Sequence, residues 1–332
     1  MSCIRSLVLT QSGLRIADTE IPPLKPGEVR IAVRHVGIST SDLIMWRGDA
    51  EVPLPLVPGH EVAGIVDEST DPSQSAGEFV TVNMDISCGT CYYCRRNLSD
   101  MCVRRKRIGI DVDGAMAEYV VVPSENVRRL PERVSSDAAV FAVPLASVIA
   151  LVSRLAMSDG QKVLVIGANT VGLLAAQVCE ARGADVIVAS PSIRQIGLAR
   201  QLGFINTVNT PLSECAETVR GVVGQHGCEI VLESTGTPAG ISAALDAVSM
   251  RGHVGLVHED LMKVQISSLP ILDKEIHVTA ARHGPLEPAI EMINRGRIEV
   301  KRLIGSVFPL EKGNEAFEYA DRTDSHKVVI VV

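Results

Sequence analysis

Short apolar segments that alternate with helical segments make up much of the second half of this chain. Strands are predicted at short apolar runs between turn residues, and helices where apolar residues recur every three to four positions. The predicted strands span 162–166, 184–189, 207–209, 230–233, 253–257 and 276–280, and a helix extends to 181 after the first strand, with later helices over 193–202, 211–223 and 239–249. Strands that alternate with helices in this way run parallel, so the segment is predicted to form a doubly wound α/β sheet.

The segments on either side of this alternation are predicted to form a second, β-rich domain. Residues 29–33 place a large apolar side chain at every second position, and proline and glycine interrupt the first part of the chain repeatedly. A buried helix over 138–156 is predicted to break near Pro144. A helix over 285–295 and a strand over 327–332 follow the α/β segment. We therefore predict that residues 1–144 and 283–332 form one domain and residues 145–282 the other.

A turn bounded by glycines joins the first strand of the α/β segment to its helix. Its residues, Gly167, Asn169, Thr170, Val171 and Gly172, stand where a dinucleotide pyrophosphate binds, because a helix N-terminus there offers backbone amides to phosphate. The usual pattern has glycine at the position of Asn169. Asparagine tolerates positive φ, but its side chain occupies space that the pyrophosphate would approach. We predict nucleotide binding, and the alternative is a turn of this type that has lost its nucleotide.

The end of the second strand of this sheet bears on the choice of coenzyme. An acidic residue there would bind the ribose hydroxyls of NAD, but the sequence has Ser190, Ser192 and Arg194 instead. Without a carboxylate, the 2′-phosphate of NADP is not repelled, and two hydroxyls with one guanidinium can hold it. The prediction is NADP(H), with NAD(H) as the alternative if Arg194 is only an exposed residue of a helix.

Four cysteines cluster in the β-rich part, between positions 88 and 102. Cys88, Cys91, Cys94 and Cys102 supply four thiolates, and Zn²⁺ takes four such ligands tetrahedrally, which leaves no open coordination position. Basic residues near the cluster would help to keep the thiolates deprotonated. The sequence therefore predicts one structural zinc ion.

Charge and the N-terminal sequence limit the partners and the compartment. A formal net charge of −7 over 332 residues argues against a nucleic-acid-binding surface. The N-terminus lacks the apolar segment of a signal peptide, and the longest uncharged runs are too short to span a membrane. We expect a cytoplasmic protein whose partner is a small-molecule substrate, with neither nucleic acid nor membrane involved.

Several further motifs, taken with the cysteine cluster and the glycine turn, resemble one superfamily. They are Val36-Gly37-Ile38-Ser39-Thr40-Ser41-Asp42, Trp46-Arg47-Gly48-Asp49, Pro58-Gly59-His60-Glu61, residues 109–122 and Glu233-Ser234-Thr235-Gly236. Together they resemble the medium-chain dehydrogenase/reductase superfamily, in its zinc alcohol dehydrogenase branch of the sorbitol and threonine dehydrogenase type. The resemblance implies a GroES-like catalytic domain, a Rossmann coenzyme domain and a homodimer or homotetramer. It also implies that Thr235 and Val257 belong to the coenzyme site.

The chain departs from this family where the family holds a catalytic zinc. Relatives carry a cysteine at the position of Ser39 and often a glutamate at the position of Val143, and many have a proton-relaying histidine at the position of Ile44. His60 and Glu61 match the family pattern. A neutral hydroxyl is a poor zinc ligand and valine is none, so we predict that the catalytic zinc is lost.

Without the metal, other groups must stabilise an oxyanion and move a proton. In the family the aspartate that matches Asp42 supports the metal-binding histidine, so we predict an Asp42–His60 dyad in which His60 is the general acid or base. Ser39 or Ser41 would relay the proton, and Glu61, if no metal pairs with it, should have a perturbed pKa. The alternative is that these residues only satisfy one another. His283 is a further residue that could face the site.

The predicted function is that of an NAD(P)(H)-dependent oxidoreductase. The resemblance implies a small hydroxylated substrate, such as a polyol, a sugar or a related ketone. One alternative is reduction of a conjugated double bond, for which delocalisation lessens the need for a metal. The other is a non-enzymatic descendant that binds a nucleotide or a partner, and Asn169 together with the lost zinc ligands motivates it.

Overall fold

The computed structural model describes residues 3–257, 265–282, 284–322 and 324–332. His283 lies outside these residues. The chain divides into two compact units, one of Met1–Val143, Ala289–Asn294 and Ile304–Val332, and the other of Pro144–Pro288 and Arg295–Leu303. The sequence analysis assigned residues 284–288 and 295–303 to the β-rich domain, whereas here they lie in the α/β unit.

The first unit contains a seven-stranded sheet. Its strand order is β16-β17-β3-β4-β5-β9, and β8 pairs with the other part of β3. The strands of this unit are β1 (Cys3–Thr10), β2 (Gly13–Glu20), β3 (Glu28–Gly37), β4 (Glu61–Ser69), β5 (Phe79–Val82), β6 (Asp85–Ile86), β7 (Lys106–Arg107), β8 (Tyr119–Pro123), β9 (Val127–Arg129), β16 (Ile304–Pro309) and β17 (Lys327–Val331). Two small two-stranded sheets, β1–β2 and β6–β7, are separate from this sheet.

Strand β3 lies inside the seven-stranded sheet. It pairs antiparallel with β4, β8 and β17, and its apolar residues Val29, Ile31 and Val33 are buried, as their alternation predicts. The C-terminal end of β3 leads directly into α1 (Thr40–Arg47), and the unit also contains α2 (Ser136–Ala139) and α10 (Gly313–Ala320). The pairing of β17 with β3 therefore brings the last strand of the chain beside the segment that precedes Ser39.

The second unit contains a six-stranded parallel sheet of the predicted type. Its order is β12-β11-β10-β13-β14-β15, so the chain runs outward from β10 in one direction and then in the other. The strands are β10 (Lys162–Ile166), β11 (Asp185–Ser190), β12 (Thr207–Asn209), β13 (Cys228–Glu233), β14 (Val248–Leu256) and β15 (His277–Ala280). The helices are α4 (Thr170–Glu180), α5 (Ile193–Gln201), α6 (Cys215–Val223), α7 (Pro238–Ala247) and α8 (Leu269–Asp273).

Alternate residues of these strands form the core under α6 and α7. Leu164, Ile187 and Val231 pack there with Val219 and Ala244, all of them almost fully buried. Burial on both sides of a parallel sheet explains why its strands are continuous apolar runs rather than alternating ones.

Two helices contain residues of both units, because a boundary between the units falls within each helix. They are α3 (Ala142–Arg154) and α9 (Leu286–Asn294). The helical segment is interrupted between Ala139 and Ala142, a few residues before the predicted break at Pro144. Pro144 lies in the first turn of α3, where a backbone N–H has no helical partner and its loss costs little. Over the described residues, each helix is either too short or too polar to span a bilayer.

Candidate functional site

The N-terminus of α1 fixes the side chains of Ser39 and Asp42. Ser39 is the N-cap residue and Asp42 the third helical residue, and they form a reciprocal capping box. The Ser39 amide and hydroxyl both donate to Asp42 Oδ2, at 2.8 and 2.7 Å, and the Asp42 amide donates to Ser39 Oγ at 3.1 Å. The Gly59 amide donates to Asp42 Oδ1 at 3.1 Å. Both carboxylate oxygens of Asp42 are therefore engaged.

His60 lies beside this helix start, in the buried interior of the first unit. Its side chain is 1% exposed, and Nδ1 has no hydrogen-bond partner among the described residues. No hydrogen bond joins His60 to Asp42 in the described part of the chain, so the predicted dyad is not formed. The physical reason is competition, because helix capping and the Gly59 amide already satisfy the carboxylate of Asp42.

The predicted relay through Ser39 is also not supported, since its hydroxyl both donates to and accepts from Asp42. Ser41 is buried in the first turn of α1 and remains a candidate relay.

Glu61 forms a buried ion pair that the sequence analysis did not predict. Lys327 Nζ, at the start of β17, lies 2.6 Å from Glu61 Oε2 and 3.2 Å from the carbonyl oxygen of Ile38. Both side chains are almost fully buried. The sequence analysis predicted a perturbed pKa for Glu61 in the absence of a metal, and it did not predict this lysine as a partner. A signal was present, because a glutamate in a buried motif that has lost its metal requires another cation, and a lysine is an unusual first residue for an apolar strand.

The donor atoms around His60 do not fit a zinc ion. The Ser39 hydroxyl is committed to Asp42, Glu61 is paired with Lys327, and Val143 is apolar and buried. Among the described residues, one group of three or more histidine, cysteine or acidic side chains is arranged so that it could hold a metal ion. That group is the cysteine cluster.

The cysteine cluster does have the geometry of a zinc site. The four sulfur atoms of Cys88, Cys91, Cys94 and Cys102 all lie within 4.8 Å of one another. The separations Cys91–Cys94, Cys91–Cys102 and Cys88–Cys94 are 3.4, 3.9 and 4.0 Å. Four Zn–S bonds of about 2.3 Å in a tetrahedron place sulfur atoms about 3.8 Å apart. The residues therefore fit the structural zinc that their spacing predicts.

The surroundings of these thiols shift their pKa values in opposite directions. The backbone amide of Thr90 is the main cause that lowers the pKa of Cys88 to about 5. Desolvation is the main cause that raises the pKa of Cys94 to about 11. The Thr90 hydroxyl also lies 3.8 Å from Cys88 Sγ and accepts a hydrogen bond of 2.7 Å from Arg104. This polar contact is the kind that orients a ligand from outside the coordination sphere.

The predicted nucleotide turn lies between β10 and α4. Gly167 has φ +94°, and a Cβ atom there would overlap the Ser234 hydroxyl, so both the turn and its packing require glycine. Thr170 and Val171 are the first two residues of α4, and their backbone amides have no partner within the helix. Such a helix start can receive a phosphate group.

Asn169 has a role that the sequence analysis did not predict. It has φ −72°, so its tolerance of positive φ is not used, and it is the N-cap of α4. Its Oδ1 accepts from the Gly172 amide at 2.8 Å, and its Nδ2 donates to the Ser234 carbonyl at 2.7 Å. The side chain is thus folded against the helix and the end of β13. The turn therefore keeps a helix cap, and the amides of the first two residues of α4 are not used by it.

The other predicted coenzyme residues lie at the ends of neighbouring strands. Ser190 ends β11, is 1% exposed, and donates to Gln195 Oε1 at 2.9 Å, so its hydroxyl faces inward. Ser192 caps α5 and Arg194 is exposed on its first turn, which leaves these two as the accessible members.

A buried glutamate shapes the loop at the end of β13. The Glu233 carboxylate accepts from the backbone amides of Thr235 and Gly236, at 2.7 and 3.1 Å. Val257 is buried just after β14, and its amide donates to the Glu233 carbonyl at 2.9 Å. Thr235 and Val257 are therefore fixed at the same edge of the sheet as the glycine turn. The hydrogen bonds of Glu233 were not predicted from the sequence.

Two family models match the chain. Residues 25–132 match the alcohol dehydrogenase GroES-like domain, and residues 170–295 match the zinc-binding dehydrogenase domain. The chain is 29% identical over 341 residues to the sorbitol dehydrogenase of Halalkalibacterium halodurans, covering 98% of this chain and 99% of that protein. It is 30% identical over 333 residues to the L-threonine 3-dehydrogenase of Pyrococcus furiosus, covering 96% and 95%.

A solved structure has the same fold over its whole length. An alcohol dehydrogenase from E. coli CFT073, complexed with NADH, superposes with a TM-score of 0.90 and 26% identity, covering 100% of both chains. The agreement of both family models and full-length relatives with the two units confirms the resemblance and the fold class. The chain belongs to the zinc alcohol dehydrogenase branch of the medium-chain dehydrogenase/reductase superfamily and is an oxidoreductase.

Proposed function

We propose that this oxidoreductase moves hydride between NADP(H) and a small hydroxylated alcohol or its ketone, with no metal ion at His60. The observation that supports the absence of a metal is that both donor groups already have partners. The Ser39 hydroxyl is hydrogen-bonded to Asp42, and the Glu61 carboxylate is paired with Lys327. A zinc ion there would have to break a buried capping box and a buried ion pair to gain its ligands.

The glycine turn supports the coenzyme part of the proposal. A bound nicotinamide coenzyme supplies the hydride donor or acceptor. The amides of Thr170 and Val171 would hold its pyrophosphate, and Gly167 keeps that turn free of side-chain bulk. The E. coli relative complexed with NADH supports a nicotinamide coenzyme in general.

The preference for NADP(H) rests on charge at the end of β11. Between Ser190 and Arg194 there is no carboxylate, and the guanidinium of Arg194 is exposed on α5. Fluorescence titration with NADPH and NADH tests this preference. We expect NADPH to bind more tightly and Arg194→Ala to reduce that difference about tenfold, because one charged hydrogen-bonding contact contributes on this order. Arg200→Ala, on the same helix, is the matched control, and equal binding of both coenzymes by the wild type would refute the preference.

His60 is the residue that we assign to proton transfer. Oxidation of an alcohol releases one proton for each hydride, and the buried imidazole has a nitrogen, Nδ1, with no partner in the described structure. It would accept the proton directly or through Ser41. We expect His60→Ala to lower kcat by about 10²–10⁴-fold, the range typical of a general acid or base. The exposed His226→Ala is the control, and full turnover by His60→Ala would overturn this assignment.

The substrate class rests on relatives rather than on the site. The sorbitol dehydrogenase of H. halodurans favours a polyol or a sugar-like alcohol. A panel of polyols, sugar alcohols and their ketones, assayed with both coenzymes, tests this class. Reduction of a conjugated double bond remains the second candidate, because a metal-free donor set suits it equally well. Turnover of enones in preference to polyols would favour that reaction.

Metal analysis of the purified wild-type protein tests the metal-free part directly. We expect about one zinc ion per chain, held by the cysteine cluster. Two tightly held ions per chain would refute the proposal for the His60 region.

A further inference from the structure

The segment that contains the cysteine cluster exposes several large apolar side chains close together. We call residues 88–107 the cysteine lobe; it ends with β7, and the β6–β7 pair is separate from the seven-stranded sheet. The exposed large apolar side chains of the lobe are Tyr92, Tyr93, Leu98, Met101 and Val103, with Tyr92 61% and Val103 71% exposed. In the rest of the described first unit, such side chains are far apart in sequence, at Ile16, Leu54 and Val307. A concentration of exposed apolar groups of this kind indicates a contact surface.

The same lobe is basic, although the chain as a whole is acidic. It contains six cationic side chains and one carboxylate, that of Asp100, whereas the net charge of the chain is −7. Arg105 and Arg107 have acidic partners in ion pairs. The other four cations are exposed and form no ion pair within the described part of the chain; they are Arg95, Arg96, Arg104 and Lys106. A zinc ion with four thiolates would add negative charge inside the lobe, but the cations still outnumber it.

The tyrosines of the lobe lie directly beside one of these cations. The guanidinium carbon of Arg96 is 3.7 Å from the centre of the Tyr92 ring, and Tyr93 meets the edge of that ring with 5.3 Å between the ring centres. The Leu98 amide donates to the Tyr93 carbonyl oxygen, and the Met101 amide donates to the Leu98 carbonyl oxygen, both at 3.0 Å. The aliphatic side chains therefore follow the ring pair on consecutive turns of the lobe.

Cationic, aromatic and aliphatic groups together suit the surface of an anionic lipid bilayer. Lysine and arginine attract anionic headgroups, tyrosine favours the depth of the headgroups, and aliphatic side chains enter the boundary with the acyl chains. A single-stranded nucleic acid would use the cations and the rings but would leave Leu98, Met101 and Val103 in water. The sequence analysis expected no membrane partner because no segment spans a bilayer, but contact with the bilayer surface needs no such segment.

We propose that the cysteine lobe is a docking surface for anionic membrane lipids. Its unpaired cations would contact the headgroups, and Leu98 and Val103 would contact the acyl boundary. The four thiols hold the lobe together from inside, so the surface has a fixed shape when zinc is bound. The proposal concerns neither the coenzyme nor the His60 region, so its failure would leave the proposed function unaffected.

Sedimentation of the full-length, zinc-loaded protein with lipid vesicles tests the inference. The vesicles contain phosphatidylcholine, with or without phosphatidylglycerol. We expect binding to the vesicles that contain phosphatidylglycerol, and we expect added salt to weaken it. Arg95→Gln combined with Lys106→Gln should weaken binding about 25-fold, because each cation near an anionic surface contributes about fivefold. Val103→Ser should weaken it about tenfold, because the apolar side chain no longer leaves water.

Matched variants outside the lobe serve as controls. Lys25→Gln combined with Arg133→Gln removes two exposed cations of the same unit, and Val307→Ser replaces another exposed valine. Both should change vesicle binding by less than about twofold, because salt screens charges that are far from the lipid surface. Each lobe variant should keep one zinc ion per chain, which shows that the lobe is folded. Leu98→Ser is a second apolar variant, should Val103→Ser lose its zinc.

Several results would overturn the proposal. Wild-type protein that binds both kinds of vesicle equally, or neither, would do so. Equal losses of binding in the lobe variants and in their matched controls would show that the lobe is not the contact surface. Binding of single-stranded RNA without binding of vesicles would assign the lobe to nucleic acid instead. A changed oligomeric state of the lobe variants, again without vesicle binding by the wild type, would assign it to a second copy of the chain.

Discussion

The cysteine cluster and the His60 region lie in the same unit and differ in what satisfies their polar side chains. In the cluster, four thiols converge on one point and are contacted by backbone amides and by the Thr90 hydroxyl. Around His60, the hydroxyl of Ser39 and the carboxylates of Asp42 and Glu61 are already bonded to protein groups. The thiols of the cluster are placed to bind a metal ion together, whereas other protein groups already bind the Ser39, Asp42 and Glu61 side chains around His60.

On the proposed metal-free function, this difference indicates how a metal site could be lost without unfolding its surroundings. Replacing one thiolate by a hydroxyl allows that position to become a helix cap, and a lysine from a distant strand neutralises the remaining carboxylate. The four ligands of the cluster, by contrast, all come from one short loop over residues 88–102. Substitutions in the two regions should therefore differ in how much they change the free energy of unfolding and in whether they change zinc binding.

The largest effect is expected from Cys102→Ser. Cys102 is the most buried of the four thiols, and its loss leaves a closed zinc site with three ligands. We expect zinc content to fall well below one per chain, with a loss of more than about 4 kcal/mol in the free energy of unfolding. Metal analysis and urea unfolding measure both. Cys3→Ser, at an exposed thiol, should change neither, and a fully stable, zinc-free Cys102→Ser protein would contradict a structural role for the metal.

The next largest effect is expected from Lys327→Met. It leaves the Glu61 carboxylate buried without its cation, which should cost about 3–5 kcal/mol in the free energy of unfolding. Combining it with Glu61→Gln should recover most of that loss, because no unpaired charge remains. Urea unfolding of the two single variants and the double variant gives the coupling between them. Additive effects would mean that the pair does not act as a unit.

A smaller effect is expected from Ser39→Ala. The variant loses the N-cap of α1 and one hydrogen bond to Asp42, which should cost about 1–2 kcal/mol. Zinc content should stay at one per chain, because Ser39 holds no metal. The exposed Thr40→Ala, one residue further along, is the control for helix propensity. A fall in zinc content in Ser39→Ala would break the contrast between the two regions.

The smallest change in stability is expected from Thr90→Val, which should alter the metal affinity instead. The hydroxyl of Thr90 links Cys88 to Arg104 from outside the cluster. Its loss should weaken zinc binding about tenfold while the free energy of unfolding of the zinc-loaded protein changes by less than about 0.5 kcal/mol. Competition with a chromophoric chelator measures the affinity, with Ser99→Ala as the control. An unchanged zinc affinity would mean that the Thr90 hydroxyl does not contribute to it and that the four thiols alone determine it.

Local sequence patterns were sufficient for much of the fold. The strands over 162–166 and 207–209 were predicted at their observed bounds, because each lies between turn residues in a regular alternation of strands with helices. The cysteine cluster was equally predictable, since its ligands lie within one loop. The break near Pro144 was misplaced, because a proline in the first turn of a helix resembles one that ends it.

The side-chain partners of the candidate site were less predictable. The Asp42–His60 dyad was wrong because a capping box competes for the same carboxylate, although Ser39 and Asp42 have the spacing of that motif. Asn169 was interpreted as an obstacle, yet it caps α4 and lies against Ser234. In both places, a polar residue near a helix start had a structural partner that competed with its expected functional role.

The sequence by itself determined the two kinds of unit, the four-thiol cluster, the glycine turn and the serine at position 39, because each is encoded in neighbouring residues. Only the tertiary structure decided which cation pairs with Glu61. Lys327 is 266 positions from Glu61 along the chain, and the two meet because β17 and β4 pair with opposite sides of β3. A charge buried in a sheet must have a partner, but the sequence does not say which distant strand will supply it.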